Sequence, residues 1–291
     1  MSAFPDVPIL PGISTLVPGH DGIVMDLWGV IHGGVEPYPG VLDALEKLKD
    51  RGIPVAFVSN APRRRELGTR RLDQIGIPRE LYGSLVTSGQ LTHDWLALHA
   101  PSLGTGCYYV GPDADADLIQ DLPLRRTERI EDADVVVVAG FEDESQPVTV
   151  YDPMLTVAKE RGLTLVCANP DRTVRRHSGE VSPCAGLIAE HYGEMGGTVV
   201  NHGKPDAEPF LVGRRDLGLD EGARMMMIGD SLHTDIAGAR AAGFTAVMVA
   251  RGVHADDLGI APGETPQKDV LAALYTNYDL HPDAVIATLR W

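Results

Sequence analysis

Gly22-Ile23-Val24-Met25-Asp26-Leu27-Trp28-Gly29-Val30 decides how this chain is read. The apolar run Gly22 to Met25 has the length and composition of a short buried strand. It delivers Asp26 to the strand's carboxyl end, where a glycine-containing turn begins. In open α/β sheets that edge is where ligands bind. One strand followed by an aspartate and a turn is a weak signal, since an isolated aspartate there also serves as a turn or N-cap residue. Three further segments add weight: Val58-Ser59-Asn60, Gly203-Lys204-Pro205 and Gly229-Asp230-Ser231-Leu232-His233-Thr234-Asp235.

Around these segments, strand-like and helix-like runs alternate along nearly the whole chain, which argues for a mostly parallel sheet flanked by helices. From Gly40 to Arg51 the apolar positions Val41, Leu42, Leu45 and Leu48 make a helical stripe, stopped by Gly52. Val55 to Val58 is a second buried strand, and Arg63 to Ile75 the next helix, closed by Gly76 and Pro78. From about Thr87 a second αβ series begins. It comprises a helix at Leu91–Leu98, strands at Cys107–Val110 and Val135–Ala139, a helix at Val150–Arg161 and a strand at Thr164–Ala168. The chain then returns with strands at Met225–Ile228 and Thr245–Val249, and a small-residue helix at Ile236–Gly243 between them. The expected organisation is a core in two parts, residues 1–86 and 186–291, with a smaller α/β domain inserted at 87–185.

Composition limits the function. Of 291 residues 41 are acidic and 25 basic, a formal net charge of −16. That field repels nucleic acid and anionic membrane surfaces, so neither is expected as a partner. A phosphate-bearing substrate then needs a locally cationic site. The basic cluster Arg63-Arg64-Arg65 with Arg70-Arg71 has the spacing of a solvated helix face. Cys107, Cys167 and Cys184 show neither metal spacing nor a disulfide framework, and Cys107 and Cys167 read as small buried hydrophobes. No signal-peptide pattern or membrane-length apolar run occurs, so a soluble cytoplasmic protein is expected.

In their order, the Asp26, Ser59, Lys204 and Asp230–Asp235 segments resemble the motif series of the haloacid dehalogenase (HAD) superfamily, the aspartate-nucleophile phosphatases and their relatives. The αβ insert between the Ser59 and Lys204 motifs looks like a class IIA cap. So does Ala168-Asn169-Pro170-Asp171, followed by Gly186-Leu187-Ile188 and Gly203-Lys204-Pro205. The resemblance spans about Gly22 to Gly252. It implies a Rossmann-like, doubly wound α/β core with an inserted cap, and a small phosphorylated metabolite as substrate, such as a sugar phosphate or nucleotide-like monoester. It also implies Mg2+ as cofactor and, because caps in this family often carry a dimer contact, a homodimer through the cap.

The resemblance makes Asp26 the nucleophile, forming an aspartyl-phosphate that water later breaks, and its second oxygen a magnesium ligand. Magnesium takes hard oxygen ligands; Asp230 would bind it directly, and Asp235 through water or as a brace. Helix capping is the alternative for Asp235. The remaining protein ligand in the family is the backbone carbonyl two residues after the nucleophile, here that of Trp28. Lys204 would bind a phosphate oxygen and keep Asp26 ionised, unless it is a solvated surface lysine. The Ser59 hydroxyl and the Asn60 backbone N–H would contact phosphate, or cap the following helix. A cap would exclude water and contact the leaving group. Asn169 and Asp171, with Arg172, Arg175 and His177, form the segment expected to do so, a plain Pro-Asp turn being the alternative.

Trp28 departs from the family, where most phosphatases carry a second aspartate as general acid/base. Such a group contributes about 10²–10⁴-fold in rate, and an indole cannot replace it. In one reading the chain is still a phosphatase, with weakened or relocated acid catalysis. His32 is then the candidate substitute, or a residue that only lines the pocket; His202 and His233 are weaker candidates. In a second, it cleaves carbon–phosphorus bonds, which in this superfamily uses a cap lysine; Lys159 is the only lysine of the insert. In a third, it is a catalytically impaired metal- and phosphometabolite-binding module. Trp28 with His32 four residues later also resembles a bacterial branch of class IIA, presumed sugar phosphatases without a settled substrate. A scaffold protein with no small-molecule site is the competing non-enzyme class.

Overall fold

The computed structural model describes residues 4–175, 180–261 and 263–291. In chain order, β1 (Ile9–Leu10), β2 (Gly22–Asp26), α1 (Val41–Asp50), β3 (Val55–Ser59), α2 (Arg65–Gln74) and β4 (Ser84–Thr87) come first. Next come α3 (Ser88–Leu103), β5 (Gly106–Val110), β6 (Arg125–Arg126), β7 (Val135–Val138), α4 (Asp152–Glu160) and β8 (Thr164–Cys167). They are followed by β9 (Thr173–Arg175), β10 (Val181–Pro183), α5 (Ala185–Glu194) and β11 (Thr198–Asn201). The last third holds α6 (Glu208–Asp216), β12 (Met225–Gly229), α7 (Ala237–Ala242), β13 (Thr245–Val249), α8 (Ala255–Leu258), α9 (Lys268–Tyr278) and β14 (Ala284–Ile286). The chain divides into two compact units. Met1–Ser59, Thr69–Val86 and Lys204–Trp291 form the first, Asn60–Gly68 and Thr87–Gly203 the second.

The first unit is built on a seven-stranded sheet of order β1-β14-β13-β12-β2-β3-β4, with parallel pairing from β1 through to β3. Its strands are apolar on both faces, as a parallel sheet covered on both sides requires. Ile23, Met25, Phe57, Met226, Ile228 and Val247 share one core with Ala44, Leu45 and Leu48 of α1. On the other face, Val24, Ala56 and Val58 lie against Gly213 of α6. Phe57 is fully buried, and cutting it to alanine would cost about 3–5 kcal/mol through the lost apolar transfer and the cavity left behind. Register fixes what matters for function. Met25 pairs with Ile228 and Asp26 with Val58, so Asp26, Ser59 and the Gly229-Asp230 turn emerge within about one residue of each other at the carboxyl edge.

The second unit is a five-stranded parallel sheet of order β11-β8-β7-β5-β6. Strand alternation divides its side chains cleanly. Val136, Val138, Leu165 and Cys167 pack with Leu155 of α4 and Ile188 of α5. Val135, Val137, Val166 and Cys107 pack on the opposite side with Leu96 of α3. A short antiparallel hairpin, β9 with β10, leads into α5. The sequence-derived end of the insert at 185 falls inside this unit, which continues to Gly203. The reason is pairing: β11 lies in register on β8, and α5 packs its buried face on the same core. No helix among the described residues is long and apolar enough to cross a membrane.

Candidate active site

The loop Gly229–Asp235 is shaped by one carboxylate. Asp235 Oδ2 accepts the backbone N–H groups of Asp230 and Ser231, at 3.0 and 3.1 Å. This is possible because Gly229 has no side chain; a Cβ there would overlap Asp235. Ser231 caps the following π-helical turn, Leu232–Ile236, its hydroxyl accepting from the Thr234 N–H. Asp235 therefore sits inside the turn and the cap is Ser231. Asp230 is held in turn by the chain after β13: its Oδ2 accepts the Val253 N–H at 2.7 Å. Its carboxylate lies against the backbones of Gly29 and Gly252, where any Cβ would overlap it.

Lys204 closes the group. Its Nζ donates to Asp26 Oδ1 at 2.5 Å and to Asp235 Oδ1 at 2.6 Å, and the lysine is only 4% exposed. Oxygens of Asp26, Asp230 and Asp235 lie within 4.8 Å of one another, and all three residues are buried. Burial pushes the Asp26 carboxyl up to about 7, against the pull of Lys204, with Asp235 adding to the rise. Burial, then Asp26 and Asp235, hold the Asp230 carboxyl well above the usual carboxylate range. Three ionised carboxylates against one ammonium would leave two negative charges uncompensated in a dry site. A divalent cation with hard oxygen preference fits that donor set and that charge. Asp26 and Asp230 are the carboxylates placed to hold it. Asp235, with one oxygen on Lys204 and the other on two backbone N–H groups, has the contacts of a brace.

Ser59 ends β3 one residue past the partner of Asp26. Asn60 begins the second unit, where its side chain is engaged at both ends: Oδ1 accepts from Ser88 Oγ at 3.2 Å, and Nδ2 donates to Asp171 Oδ1 at 2.8 Å. Asn169 Oδ1 accepts the Asp171 N–H at 3.1 Å, the bond of an Asx turn. Arg172 pairs with Glu190. His177 lies outside the described residues, as does the side chain of Arg175. Lys159 is exposed on α4, and His233 on the π-helical turn. His202 is buried in the second unit, 5.6 Å from the ring of Trp95.

His32 closes the turn that carries Trp28. Its backbone N–H donates to Leu27 O, its carbonyl accepts from Gly29 N–H, and its Nδ1 accepts the Gly34 N–H at 3.0 Å. With that acceptor role the proton sits on Nε2. Burial, aided by the Arg71 charge, lowers its pKa to about 4, so the imidazole is neutral at physiological pH. The sequence reading missed Gly252, Val253 and Gly29, which fix Asp230, and His254, whose Nε2 accepts the Leu232 N–H at 3.2 Å. The signal available for them was the run Arg251-Gly252-Val253-His254 directly after a strand, the same arrangement of strand end and glycine as at Asp26.

The comparisons with known proteins agree with this geometry. The family described as haloacid dehalogenase-like hydrolase matches residues 20–243, and a related family described as HAD-hydrolase-like matches 201–289. D-glycerol 3-phosphate phosphatase of Mycobacterium tuberculosis is 28% identical over 243 residues, 83% of this chain and 66% of that protein, just under two thirds of its length. Chronophin of Rattus norvegicus is 27% identical over 263 residues, covering 87% of this chain and 84% of its own. Among solved structures, a hydrolase of the haloacid dehalogenase-like family from Brucella suis superposes with a TM-score of 0.81 at 27% identity, covering 96% of this chain and 99% of its own. The chain thus belongs to the haloacid dehalogenase-like hydrolases and is an enzyme of their phosphoric monoester hydrolase class.

Proposed function

We propose that this chain is a magnesium-dependent phosphatase that hydrolyses a small phosphometabolite through an aspartyl-phosphate on Asp26. The observation that carries the reading is the buried bridge of Lys204 between Asp26 and Asp235, with Asp230 alongside. The named relatives support the substrate class, since one is a glycerol phosphate phosphatase.

In this reading Asp26, Asp230 and the Trp28 carbonyl would hold Mg2+, whose charge would offset that of the phosphate and let all three carboxylates stay ionised. Asp26 attacks phosphorus with one carboxylate oxygen; an O–P bond to Asp26 forms and the bond to the leaving oxygen breaks. Lys204 holds Asp26 in its attacking, ionised form and offsets charge on the transferring group. Ser59 is the hydroxyl donor to a phosphate oxygen, and the Asn60 N–H a second donor. Water then attacks the same phosphorus and releases Asp26. The leaving oxygen takes its proton from water, because Trp28 has none to give and His32 is a neutral imidazole whose Nδ1 is already an acceptor. The role of His32 is to fix the turn. Good leaving groups should therefore be favoured over alkoxides. Asn169 and Asp171 are proposed to contact the leaving group.

The test is phosphate release from 4-nitrophenyl phosphate and a panel of sugar, nucleotide and glycerol phosphates, with magnesium and with chelator, against an Asp26→Asn background. Metal-dependent release absent from Asp26→Asn is the expected outcome. A different observation favours a second reading, a binding module: no general acid stands near Asp26 in the turn. It would be supported by magnesium-dependent stabilisation by phosphate analogues with no release above background.

A further inference from the structure

Trp28 occupies the place of the missing acid, yet it is not packed away as a core residue. It is 37% exposed, two residues from the buried Asp26. Around it the turn is closely hydrogen-bonded. Gly34, at φ +101, brings bare backbone against the outer edge of the six-membered ring; a Cβ at Gly34 would stand 2.8 Å from Trp28 Cη2 and 3.1 Å from Cζ3. Gly34 is itself fixed at both ends, its N–H on His32 Nδ1 and its carbonyl on Arg71 Nη2 at 2.5 Å. The His32 ring meets the indole edge-on, 5.7 Å between centroids and 82° between planes. Glycine at the outer edge and the perpendicular imidazole thus set the ring's orientation, and its exposure leaves part of it open.

A large apolar ring held in one orientation and partly open to solvent, two residues from the proposed nucleophile Asp26, has the properties of a stacking surface. Two ring contacts fix it before any ligand arrives, so little conformational entropy is lost on stacking. Resting on the phosphatase reading above, we infer that Trp28 is the specificity residue for the leaving group and selects phosphate monoesters whose leaving group presents a flat face. That face is supplied either by an aromatic ring or by the C–H face of a pyranose. The substitution therefore exchanges proton donation for stacking. Chains lacking a flat group lose both forms of help.

Two matched pairs separate shape from leaving-group chemistry. Phenyl phosphate and hexafluoroisopropyl phosphate release alcohols of similar acidity, but only phenol is flat. Glucose 6-phosphate and sorbitol 6-phosphate release primary alcohols of equal size, but only glucose is a ring. The ratio of kcat/KM within each pair cancels any loss common to both members. The wild-type chain is expected to prefer the flat member of at least one pair about tenfold, through KM. Trp28→Ala should erase that preference and Trp28→Phe should keep most of it. The pair that shows it identifies the source of the flat face. No preference in either pair, or a preference that survives Trp28→Ala, overturns the inference. Binding of phenylphosphonate and methylphosphonate to Asp26→Asn with magnesium, measured by calorimetry, keeps the two claims apart. Tighter phenylphosphonate binding that is lost in Asp26→Asn/Trp28→Ala upholds the stacking surface even if turnover fails. Equal affinities overturn it alone, and absence of any binding overturns it together with the phosphate site.

Discussion

The chain contains two parallel sheets built by the same rules and ended differently. In both, alternate strand residues feed two apolar cores, and helices cover the faces. In the second unit two strands end quietly, Val110 running into Gly111 and Val138 into Ala139, while β8 leads on to Asn169–Asp171 and β11 to Lys204, with which the chain re-enters the first unit. In the first, β2 ends in Asp26, β3 in Ser59, and β12 runs directly into Asp230. The chemistry lies in the residues at and just past the ends of β2, β3 and β12, in Lys204 after β11, and in the glycines that let those side chains approach one another.

The contrast is most easily broken by substitution at the two edges. Asp26→Asn is expected to lower phosphate release by at least about 10³-fold, since it removes the nucleophile. Asp113→Ala, exposed three residues past the end of β5, should change it less than about twofold, as surface substitutions away from a site usually do. A comparable loss at both positions would end the distinction between the edges. Lys204→Met should then show that the first edge is electrostatically costly to hold together. Three buried carboxylates would lose their ammonium, and removing one partner of such a group costs about 3–5 kcal/mol. Urea titration of the metal-free protein measures it, and added magnesium should return part of the loss.

That prediction depends on how the site is assembled, and the sequence revealed the assembly only in part. The continuous apolar runs at Gly22–Met25, Val55–Val58 and Met225–Ile228 made the strands legible, because a sheet buried on both faces needs them. Asp26, Lys204, Asp230 and Asp235 were legible as a motif series, and they do converge. What could not be read was the division of labour inside it. That Asp235 spends one oxygen on Lys204 and the other on the Asp230 and Ser231 N–H groups depends on a π-helical turn, which has no sequence signature. The same holds for α5 and β11, which the sequence left in the core. Their membership of the second unit is decided by the β11–β8 register, a pairing between segments more than thirty residues apart.

Metal dependence sharpens the comparison at smaller amplitude. Magnesium at about 100 times its dissociation constant should stabilise the native chain by about 2.7 kcal/mol, seen as a rise in Tm. Asp230→Asn should abolish that rise. Persistence of the full shift in Asp230→Asn would place the ion elsewhere. The smallest effect concerns the quiet sheet. Cys107 and Cys167 are fully buried, and burial pushes both thiols up to about 12. Neither should react with a thiol reagent until the protein unfolds, because the thiolate is the reactive species. Rapid labelling of Cys107 in the native state would show that the second sheet opens on its own.

The most direct test of the central claim is capture of the phosphorylated enzyme. With Trp28 and a neutral His32 in the turn after Asp26, breakdown of the aspartyl-phosphate should be slow and the species should accumulate. Acid quenching during turnover of 4-nitrophenyl phosphate with magnesium, followed by peptide mass spectrometry, should find a hydroxylamine-labile phosphoryl group on Asp26. That label should vanish with chelator and in Asp26→Asn. Magnesium-dependent phosphate release with no label on Asp26, or release undiminished in Asp26→Asn, would contradict the account.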